Sequence, residues 1–526
     1  MTVLRNPVIR GFAPDPSLVR VGDWYYVATS SFEWFPTIPI HRSRDLARWE
    51  YAGHVRGAVP GDSLAGVPDS GGIWAPSLSW DGERFWVVYS VVRSVGTPYF
   101  DADAYVSTAA EVGGKWTTPQ RVASHGFDPA LFHHDGRLWL LNLQNDHRPG
   151  GRRFAGIVLT ELDRETLNPV GDTHLLLQHE RLIEGPKLLW RDGWYYLVLA
   201  EGGTGFEHGV RVARSRALTG PYELDDRPLL TSRDDPSLPL QKAGHGELVQ
   251  TSDGDWVLSH LAARPLRTPD GPRCTLGRET AIQSVTWDAE GWPRLSHGGH
   301  HPAVEVDVPT RPEAQVTPPS EALGWPWSTL RDAPDPSWAD TATRPGWIRL
   351  RGRHGPESRW AHSLLAQRIT EHRAEAEVTV EARPNTFTQA AGLVLRYNTE
   401  AYLSLDLTWA EAEGEGQHGQ QWRGGGRTVL RLVERDEAST RPVTVVDVGA
   451  DAPVTLGVTV GGAEVRFWYV RDGIRTPVGE PLDFGKLSDD YGSKLRFTGA
   501  MAGIHAVDLV DAAFTADFTG FRLTCW

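Results

Sequence analysis

Cysteine is nearly absent from this sequence of 526 residues, which contains only Cys274 and Cys525. Two cysteines cannot build a disulfide scaffold or a cysteine-rich zinc site, and their scarcity is compatible with a reducing cytoplasm. The sequence also lacks any run of about 18 apolar residues, so no transmembrane helix is expected. No apolar stretch follows the opening Met1 to Pro7 segment, so no signal peptide is predicted and a cytoplasmic location is expected.

Positive charge is in deficit, because the sequence contains 53 Lys and Arg residues and 67 Asp and Glu residues, which gives a formal net charge of −14. An acidic surface repels nucleic acid and anionic membranes, so neither is expected as a partner, and a neutral substrate fits better. Tryptophan, by contrast, is abundant, with 22 residues. Tryptophan rings stack on sugars, but they also fill β-rich cores, and the second role explains most of them.

The first half of the sequence contains five copies of one pattern. Each copy has a short apolar strand, a turn that contains glycine, and a second strand of aromatic and β-branched residues, which is typical of a β-hairpin. One leucine marks the first strand of each copy, 53 to 60 residues from the next: Leu18, Leu78, Leu131, Leu188 and Leu248. Repeats of this kind indicate a β-propeller. Five copies predict five blades, and the alternative is a β-rich domain with coincidental hairpins.

A conspicuous residue precedes each of these leucines by three or four positions. In chain order the five residues are Asp15, Trp74, Asp128, Glu184 and His245. The innermost strand of each propeller blade lines the central channel, so we expect these equivalent positions to face one cavity. Taken singly, each Asp-Pro pair also suits a simple turn, and a lone buried histidine is usually structural. The shared register favours a site at the mouth of the channel.

The second half of the sequence follows a different pattern. A segment over residues 306–330 contains Pro309, Pro312, Pro318 and Pro319 and is predicted to be a linker. Beyond it the repeat stops, and apolar and polar residues alternate, as over residues 374–380 and 428–432. The sequence therefore predicts an all-β protein: a five-bladed propeller over residues 1–305, the linker, and a jelly-roll-like β-sandwich over residues 331–526.

Three carboxyl groups at one channel suit the cleavage of a glycosidic bond. One carboxyl group must protonate the leaving oxygen while another acts on water or on the anomeric carbon. Clustered carboxylates raise one another's pKa, which keeps an acid protonated near neutral pH, and a third carboxylate can tune it. Blades three and four are neighbours, so Asp128 and Glu184 are expected close together, with Asp15 across the axis. That separation, roughly 6.5–9.5 Å, favours an inverting mechanism.

Several longer segments resemble glycoside hydrolase family 43, and in particular its β-xylosidases that carry a C-terminal β-sandwich. The first is Asn-Pro-Val-Ile-Arg-Gly-Phe-Ala-Pro-Asp-Pro-Ser at residues 6–17. The others are Ser-Phe-Glu-Trp-Phe-Pro at 31–36, Gly-Ile-Trp-Ala-Pro at 72–76, Asn-Asp-His-Arg at 145–148, Ala-Glu-Gly-Gly-Thr at 200–204 and Leu-Gly-Arg-Glu-Thr-Ala-Ile-Gln at 276–283. The resemblance runs along most of the chain.

The resemblance implies a role for each carboxylate. Asp15 matches the general base that activates water, and Glu184 matches the general acid. Asp128 matches the carboxylate that orients the acid and modulates its pKa. Arg278 matches an arginine that reaches the sugar hydroxyls and the carboxylate cluster.

The resemblance also implies a pocket for a terminal sugar. Phe32 and Trp74 match its apolar walls. His245 matches a substrate-channel histidine that in many members helps to hold a calcium ion through water, so His245 is the expected metal contact. Two positions depart from the family pattern: Lys187 stands where histidine is usual, and Met501 replaces a phenylalanine in a loop that approaches the active site in relatives.

The sequence therefore predicts an exo-acting, inverting hydrolase that releases xylose from β-1,4-xylo-oligosaccharides and also cleaves α-L-arabinofuranosides. Arabinofuranosidase activity as the main activity, or a non-catalytic sugar-binding propeller, are the alternatives. No cofactor is expected for the chemistry, with a structural Ca²⁺ near His245. The resemblance implies that the chain forms a homo-oligomer, a dimer or a tetramer.

Overall fold

The computed structural model describes residues 2–97, 99–308, 323–411, 426–449, 452–494 and 496–526. These residues form two compact units. The first unit takes them from Met1–Asp62, Gly71–Pro265 and Arg278–Pro319, and the second from Ser63–Ser70, Leu266–Gly277 and Ser320–Trp526. The four linker prolines named above lie outside the described residues, so the linker and its boundaries stay predictions.

Helix is almost absent from the described residues, which contain two short 3-10 helices, Pro60–Asp62 and Phe484–Lys486, and no α-helix. No described helix is long and apolar enough to cross a membrane. The predicted all-β class is therefore confirmed.

The first unit is built from short antiparallel strands. In chain order they are β1 (Thr2–Arg5), β2 (Ser17–Val21), β3 (Trp24–Ala28), β4 (Trp34–Phe35), β5 (Pro39–Ser43), β6 (Glu50–His54), β7 (Gly72–Trp80), β8 (Phe85–Val92), β9 (Ala102–Ala109), β10 (Gln120–Val122), β11 (Ala130–His134), β12 (Arg137–Gln144), β13 (Gly156–Leu162), β14 (Pro169–Leu177), β15 (Ile183–Arg191), β16 (Trp194–Glu201), β17 (Gly209–Ser215), β18 (Glu223–Leu224), β19 (Leu230–Thr231), β20 (Gln241–Gln250) and β21 (Trp256–Ala263). After β22 (Leu266–Thr268) and β23 (Gly271–Arg273), which belong to the second unit, follow β24 (Glu279–Trp287), β25 (Pro293–Leu295) and β26 (Glu305–Val308).

Five sheets correspond to the five sequence repeats, four of them with four strands and one with five. Their strand orders are β2-β3-β5-β6, β7-β8-β9-β10, β11-β12-β13-β14, β15-β16-β17-β18 and β20-β21-β24-β25, with β19 also paired to β17. The first strands of the sheets contact one another in a closed cycle, from β2 through β7, β11, β15 and β20 back to β2. Each sheet is one blade of a propeller, and its first strand lies innermost.

The glycine turns of the repeats make the hairpins between the first two strands of a blade. In the third and fourth blades, two-residue loops, Asp135-Gly136 and Asp192-Gly193, join the paired strands. All four loop residues have φ between 49° and 77°. Two successive residues with positive φ are what a type I′ turn requires, and Asp-Gly accommodates them at low cost.

The second unit contains two packed sheets. Its remaining strands are β27 (Thr329–Leu330), β28 (Ala339–Asp340), β29 (Ile348–Arg351), β30 (Ser363–Arg368), β31 (Arg373–Ala382), β32 (Gln389–Asn398), β33 (Ala401–Ala410), β34 (Arg427–Asp436), β35 (Ser439–Asp447), β36 (Val454–Gly461), β37 (Glu464–Arg471), β38 (Ile474–Asp483), β39 (Met501–Asp508) and β40 (Thr515–Cys525). One sheet has the order β28-β29-β40-β31-β36-β37-β38 and the other β30-β39-β32-β33-β34-β35. One hydrophobic core contains residues of both sheets, so the predicted β-sandwich is confirmed.

Alternation along β31 shows why this sheet forms. Every second residue, from Ala374 to Ala382, is buried, while the glutamates and threonine between them are partly exposed. A strand with period two presents one apolar face, and that face packs into the sandwich core. The fold class predicted from the sequence, a propeller followed by a β-sandwich, is therefore confirmed.

Candidate active site

Backbone irregularities mark the positions that the repeats singled out. Asp15, Asp128 and His245 have φ of 54°, 52° and 49°, in the left-handed region that non-glycine residues rarely adopt. In the second and fourth blades the strand ladder shifts register directly after Trp74 and Glu184. Such bulges and strained residues re-aim side chains and are common at functional sites. The site residues are thus turned out of the regular ladders.

Asp15 is held by groups from several parts of the first unit. Its Oδ2 accepts a hydrogen bond of 2.6 Å from the Ser30 hydroxyl, and its Oδ1 lies 3.1 Å from Arg278 Nη1. The same Arg278 nitrogen donates to the Thr204 hydroxyl at 2.7 Å, which fixes the guanidinium. The Nδ1 atom of His245 lies 3.5 Å from Asp15 Oδ1. Burial lowers the pKa of His245 to about 4, so the ring is neutral at pH 7.

Asp128 is connected to Glu184 through the backbone. The peptide N–H of Gly185, the residue after Glu184, donates to Asp128 Oδ2 at 3.1 Å. Gly185 has a φ of 56°, and a Cβ atom placed there would lie 2.7 Å from His245 Nε2. The close approach of three blades therefore requires glycine at this position.

The carboxyl groups have pKa values shifted in opposite directions. Burial raises the pKa of Asp15, but positive charge, chiefly that of Arg278, and the hydrogen bond from Ser30 outweigh it, so the pKa lies below its usual value. Burial and the charge of Asp15 raise the pKa of Glu184 to about 7. Burial, Glu184 and Asp15 together hold the pKa of Asp128 well above its usual range. One site thus holds Asp15 as an ionised carboxylate beside Glu184, whose pKa of about 7 keeps part of it protonated near neutral pH, and beside Asp128, whose pKa is also raised.

An aromatic wall borders the carboxylates. The rings of Phe32 and Trp74 lie 6.3 Å apart, centroid to centroid, and the Arg278 guanidinium carbon lies 5.7 Å from the Phe32 centroid. Phe100 and Phe127 support Trp74 edge-on, at 5.5 and 5.4 Å. Trp74 is only half-buried. Fixed aromatic faces beside carboxylates are the composition of a sugar subsite.

All seven residues predicted for the site are joined by these contacts and charges into one cluster: Asp15, Phe32, Trp74, Asp128, Glu184, His245 and Arg278. Sequence reasoning missed the residues that support them. Ser30 directly precedes the aromatic segment at residues 31–36, Thr204 ends the segment at 200–204, and Phe127 precedes Asp128. Each therefore stood beside a recognised signal, but only the three-dimensional contacts reveal its role.

Two family models match the chain. The model of glycosyl hydrolases family 43 matches residues 4–293, and the model of the beta xylosidase C-terminal concanavalin A-like domain matches residues 319–524. Together they span the propeller and the sandwich.

Individual relatives match over nearly their whole lengths. The xylosidase/arabinosidase 43B of Humicola insolens is 38% identical, over 99% of this chain and 97% of the relative. The xylan 1,3-beta-xylosidase of a Vibrio species is 36% identical, over 99% of each chain. The crystal structure of xylan beta-1,4-xylosidase from Bacillus halodurans C-125 superposes with a TM-score of 0.92 at 40% identity, and covers 99% of this chain and 100% of that chain.

Proposed function

This chain belongs to glycoside hydrolase family 43, and from that premise we propose that it is an exo-acting, inverting β-xylosidase that also accepts α-L-arabinofuranosides. The observation that carries the proposal is the arrangement of the carboxyl groups: Ser30 and Arg278 bind Asp15 and keep its pKa below the usual value, while burial raises the pKa of Glu184 to about 7. A base that is ionised and an acid that is protonated at the same pH are the two groups that inverting hydrolysis needs.

In the proposed mechanism Asp15 accepts a proton from water as that water attacks the anomeric carbon. Glu184 donates its proton to the leaving oxygen, and the bond between that oxygen and the anomeric carbon breaks. Asp128 orients Glu184, since its carboxylate accepts the N–H of the peptide that follows Glu184. Arg278 holds Asp15 in place and is the donor for sugar hydroxyls. The reaction needs water and carboxyl groups and no cofactor.

The proposed substrate is a terminal pentose. Phe32 and Trp74 supply apolar faces, and Arg278 lies beside Phe32 as a hydroxyl donor. The relatives' names include xylosidase and arabinosidase, and the linkages named are both β-1,3 and β-1,4. We favour β-1,4-xylo-oligosaccharides as the main substrate. The second candidate is an arabinofuranosidase, with α-L-arabinofuranosides as its main substrate.

The test compares initial rates on β-1,4-xylobiose, β-1,3-xylobiose, an aryl β-xyloside and an aryl α-L-arabinofuranoside. We expect xylose from β-1,4-xylobiose, and a loss of about 10²-fold or more in Asp15→Asn and Glu184→Gln. Proton NMR of the first product should show α-xylose, and β-xylose as the first anomer would overturn inversion. If the protein binds xylo-oligosaccharides and hydrolyses none of the substrates, the propeller is a sugar-binding module instead.

The residues around His245 do not fit a calcium ion held by protein ligands. Calcium prefers six to eight oxygen ligands. Among the described residues, two groups place three potential ligand atoms within 4.8 Å of one another, and neither contains His245. These groups are Asp234 with His300 and His301, and Cys274 with Asp489 and Asp490. The positive charge of Lys187 also acts on His245.

A calcium ion held mainly through water stays a prediction, and no step of the mechanism depends on it. Its test is the metal content of the purified protein, with activity measured after chelation. Recovery of activity with Ca²⁺ alone would support the site. The cytoplasmic location and the dimer or tetramer likewise stay proposals, to be tested by fractionation and by light scattering.

A further inference from the structure

Two histidines and one aspartate form a cluster of their own, apart from the three carboxylates of the candidate active site. The Nε2 atom of His300 lies 2.8 Å from Asp234 Oδ2, and the Nε2 atom of His301 lies 2.9 Å from Asp234 Oδ1. The two imidazole rings contact each other edge-on, with 4.6 Å between their centroids. Each histidine thus directs the same ring nitrogen at a different oxygen of one carboxylate, and the proposed mechanism uses none of the three residues.

The segments that carry these side chains are fixed by hydrogen bonds of the backbone. Asp234 lies between β19 and β20, and both histidines lie between β25 and β26. The Thr231 N–H donates to the His300 carbonyl oxygen at 2.8 Å, which joins the two segments directly. Two residues beyond His301 the chain is held again, where the Ala303 N–H donates to a glutamine side chain of β24 at 3.2 Å. The three side chains therefore project from anchored backbone.

Adjacent histidines elsewhere in the chain show that this convergence is not a consequence of sequence alone. Neighbouring residues of a strand point to opposite faces of the sheet. His133 and His134 on β11 accordingly contact two different blades, through the hydroxyls of Ser79 on β7 and Tyr195 on β16. The pair that follows β25 lies outside any strand, and there both rings turn to a single carboxylate.

The donor set selects the kind of ion that the cluster can hold. Two imidazole nitrogens and one carboxylate oxygen suit Zn²⁺, which binds three such ligands and a water molecule, whereas Ca²⁺ prefers six to eight oxygens. Bonds of about 2.0–2.1 Å in a tetrahedral arrangement place the ligand atoms roughly 3.3 Å apart. The nitrogens and oxygens must therefore separate by roughly half an ångström. The side chains are 34%, 40% and 51% exposed, so they can make this adjustment.

We propose that Asp234, His300 and His301 bind one Zn²⁺ ion, with water as the fourth ligand. The ion joins the segment that leads into β20, the first strand of the fifth blade, to the segment that leaves β25, the last strand of that blade. Because an ion that binds the folded chain stabilises it by mass action, the effect of the site is to stabilise the propeller. The proposal does not depend on the proposed hydrolase function.

The test measures Zn²⁺ binding to the full chain, produced without a histidine tag and stripped of metal with a chelator. We expect calorimetry to show one equivalent of Zn²⁺, and the thermal midpoint to rise with Zn²⁺ but not with Ca²⁺. In His300→Ala/His301→Ala the affinity should fall about 100-fold or more, because losing a mere supporting partner of a metal ligand already costs about 10–100-fold. Asp234→Ala should also weaken binding. The matched control is His297→Ala, which removes an imidazole of the same segment whose Nε2 lies 3.0 Å from the His301 carbonyl oxygen, and it should bind as the wild type does.

Two results would overturn the proposal. One is a wild-type protein that shows neither heat of Zn²⁺ binding nor a rise in thermal midpoint. The other is Zn²⁺ binding that persists in His300→Ala/His301→Ala, for example at Cys274, Asp489 and Asp490, which also bring three potential ligand atoms within 4.8 Å of one another. Cys274→Ser would abolish binding at that group and should leave binding at the proposed site unchanged. Circular dichroism checks that the variants keep the wild-type fold.

Discussion

The pH dependence of hydrolysis tests the site most directly. As the acid, Glu184 must be protonated, and its pKa is raised from 4.5 to about 7 by burial and by the charge of Asp15. At pH 6.5 a group with a pKa of 7 is roughly three-quarters protonated, while one at 4.5 is about 1% protonated. The environment of Glu184 therefore supplies about 75 times more of the active acid at this pH.

The assay is the profile of kcat/KM from pH 3 to 10 on xylobiose. Since activity needs Glu184 protonated, it should fall as pH rises through about 7, by about tenfold per pH unit above that value. Since activity also needs Asp15 ionised, and its pKa is lowered, the acidic limb should lie at low pH. On 2,4-dinitrophenyl β-xyloside, whose leaving group departs as an anion and needs no acid, the alkaline limb should weaken. An alkaline limb near pH 5, or none below pH 9, would refute the assignment of Glu184.

Three substitutions test the supports of the site and the fold. Ser30→Ala removes the 2.6 Å hydrogen bond to Asp15 and should move only the acidic limb of the pH profile to higher pH. The control Ser31→Ala should leave both limbs in place. A shift of the acidic limb in both variants would contradict the argument. Gly72→Ala places a Cβ 2.2 Å from the Phe32 carbonyl oxygen at a φ of 80°, so it should lower the thermal midpoint and raise KM for xylobiose. An unchanged midpoint and an unchanged KM would show that this close approach does not require glycine. Phe518→Ala empties a fully buried position of the sandwich and should lower the free energy of unfolding in denaturant by about 3–5 kcal/mol. An unchanged denaturation midpoint would contradict this expectation.

Local sequence patterns predicted the propeller because each repeat encodes its own hairpin. The Asp-Gly turns at residues 135–136 and 192–193 carry the positive φ values that a two-residue loop needs. The similar spacing of the repeats, 53 to 60 residues, then placed five residues in equivalent positions. Alternation of apolar and polar residues beyond residue 330 predicted the sandwich, and β31 shows its buried face directly in that alternation.

Contacts between distant segments could not be predicted in this way. Ser30 is recognisable only when Asp15 is placed opposite it, and Glu247, the ion-pair partner of Lys187, is 60 residues further along the chain. No local pattern assigns residues 63–70 and 266–277 to the second unit, because their partners lie far away in the sequence. Periodicity reports the face of an element and not its neighbours.

Opposite pKa shifts in one site also predict opposite effects on stability. The pKa of Asp128 is raised by burial and by two neighbouring carboxyl groups, so this residue destabilises the folded state increasingly as pH rises above the unfolded value near 3.8. The pKa of Asp15 is lowered despite burial, so its ionised form contributes stability that is present above that value and is lost on acidification. The ionised forms of the two residues therefore have opposite effects on stability, although both are buried aspartates of the same channel.

Substitution by asparagine, which keeps the shape and removes the charge, separates these effects. At pH 8 Asp128→Asn should raise the thermal midpoint. Its amide oxygen can still accept the Gly185 N–H, and the neutral asparagine side chain no longer competes with Glu184 for a proton. Asp15→Asn should lower the midpoint at pH 8, because Arg278 loses its counter-charge. Both differences should shrink at pH 4. Shifts of the same sign for the two variants at pH 8 would show that the cluster is not organised around an ionised Asp15 and a shared proton.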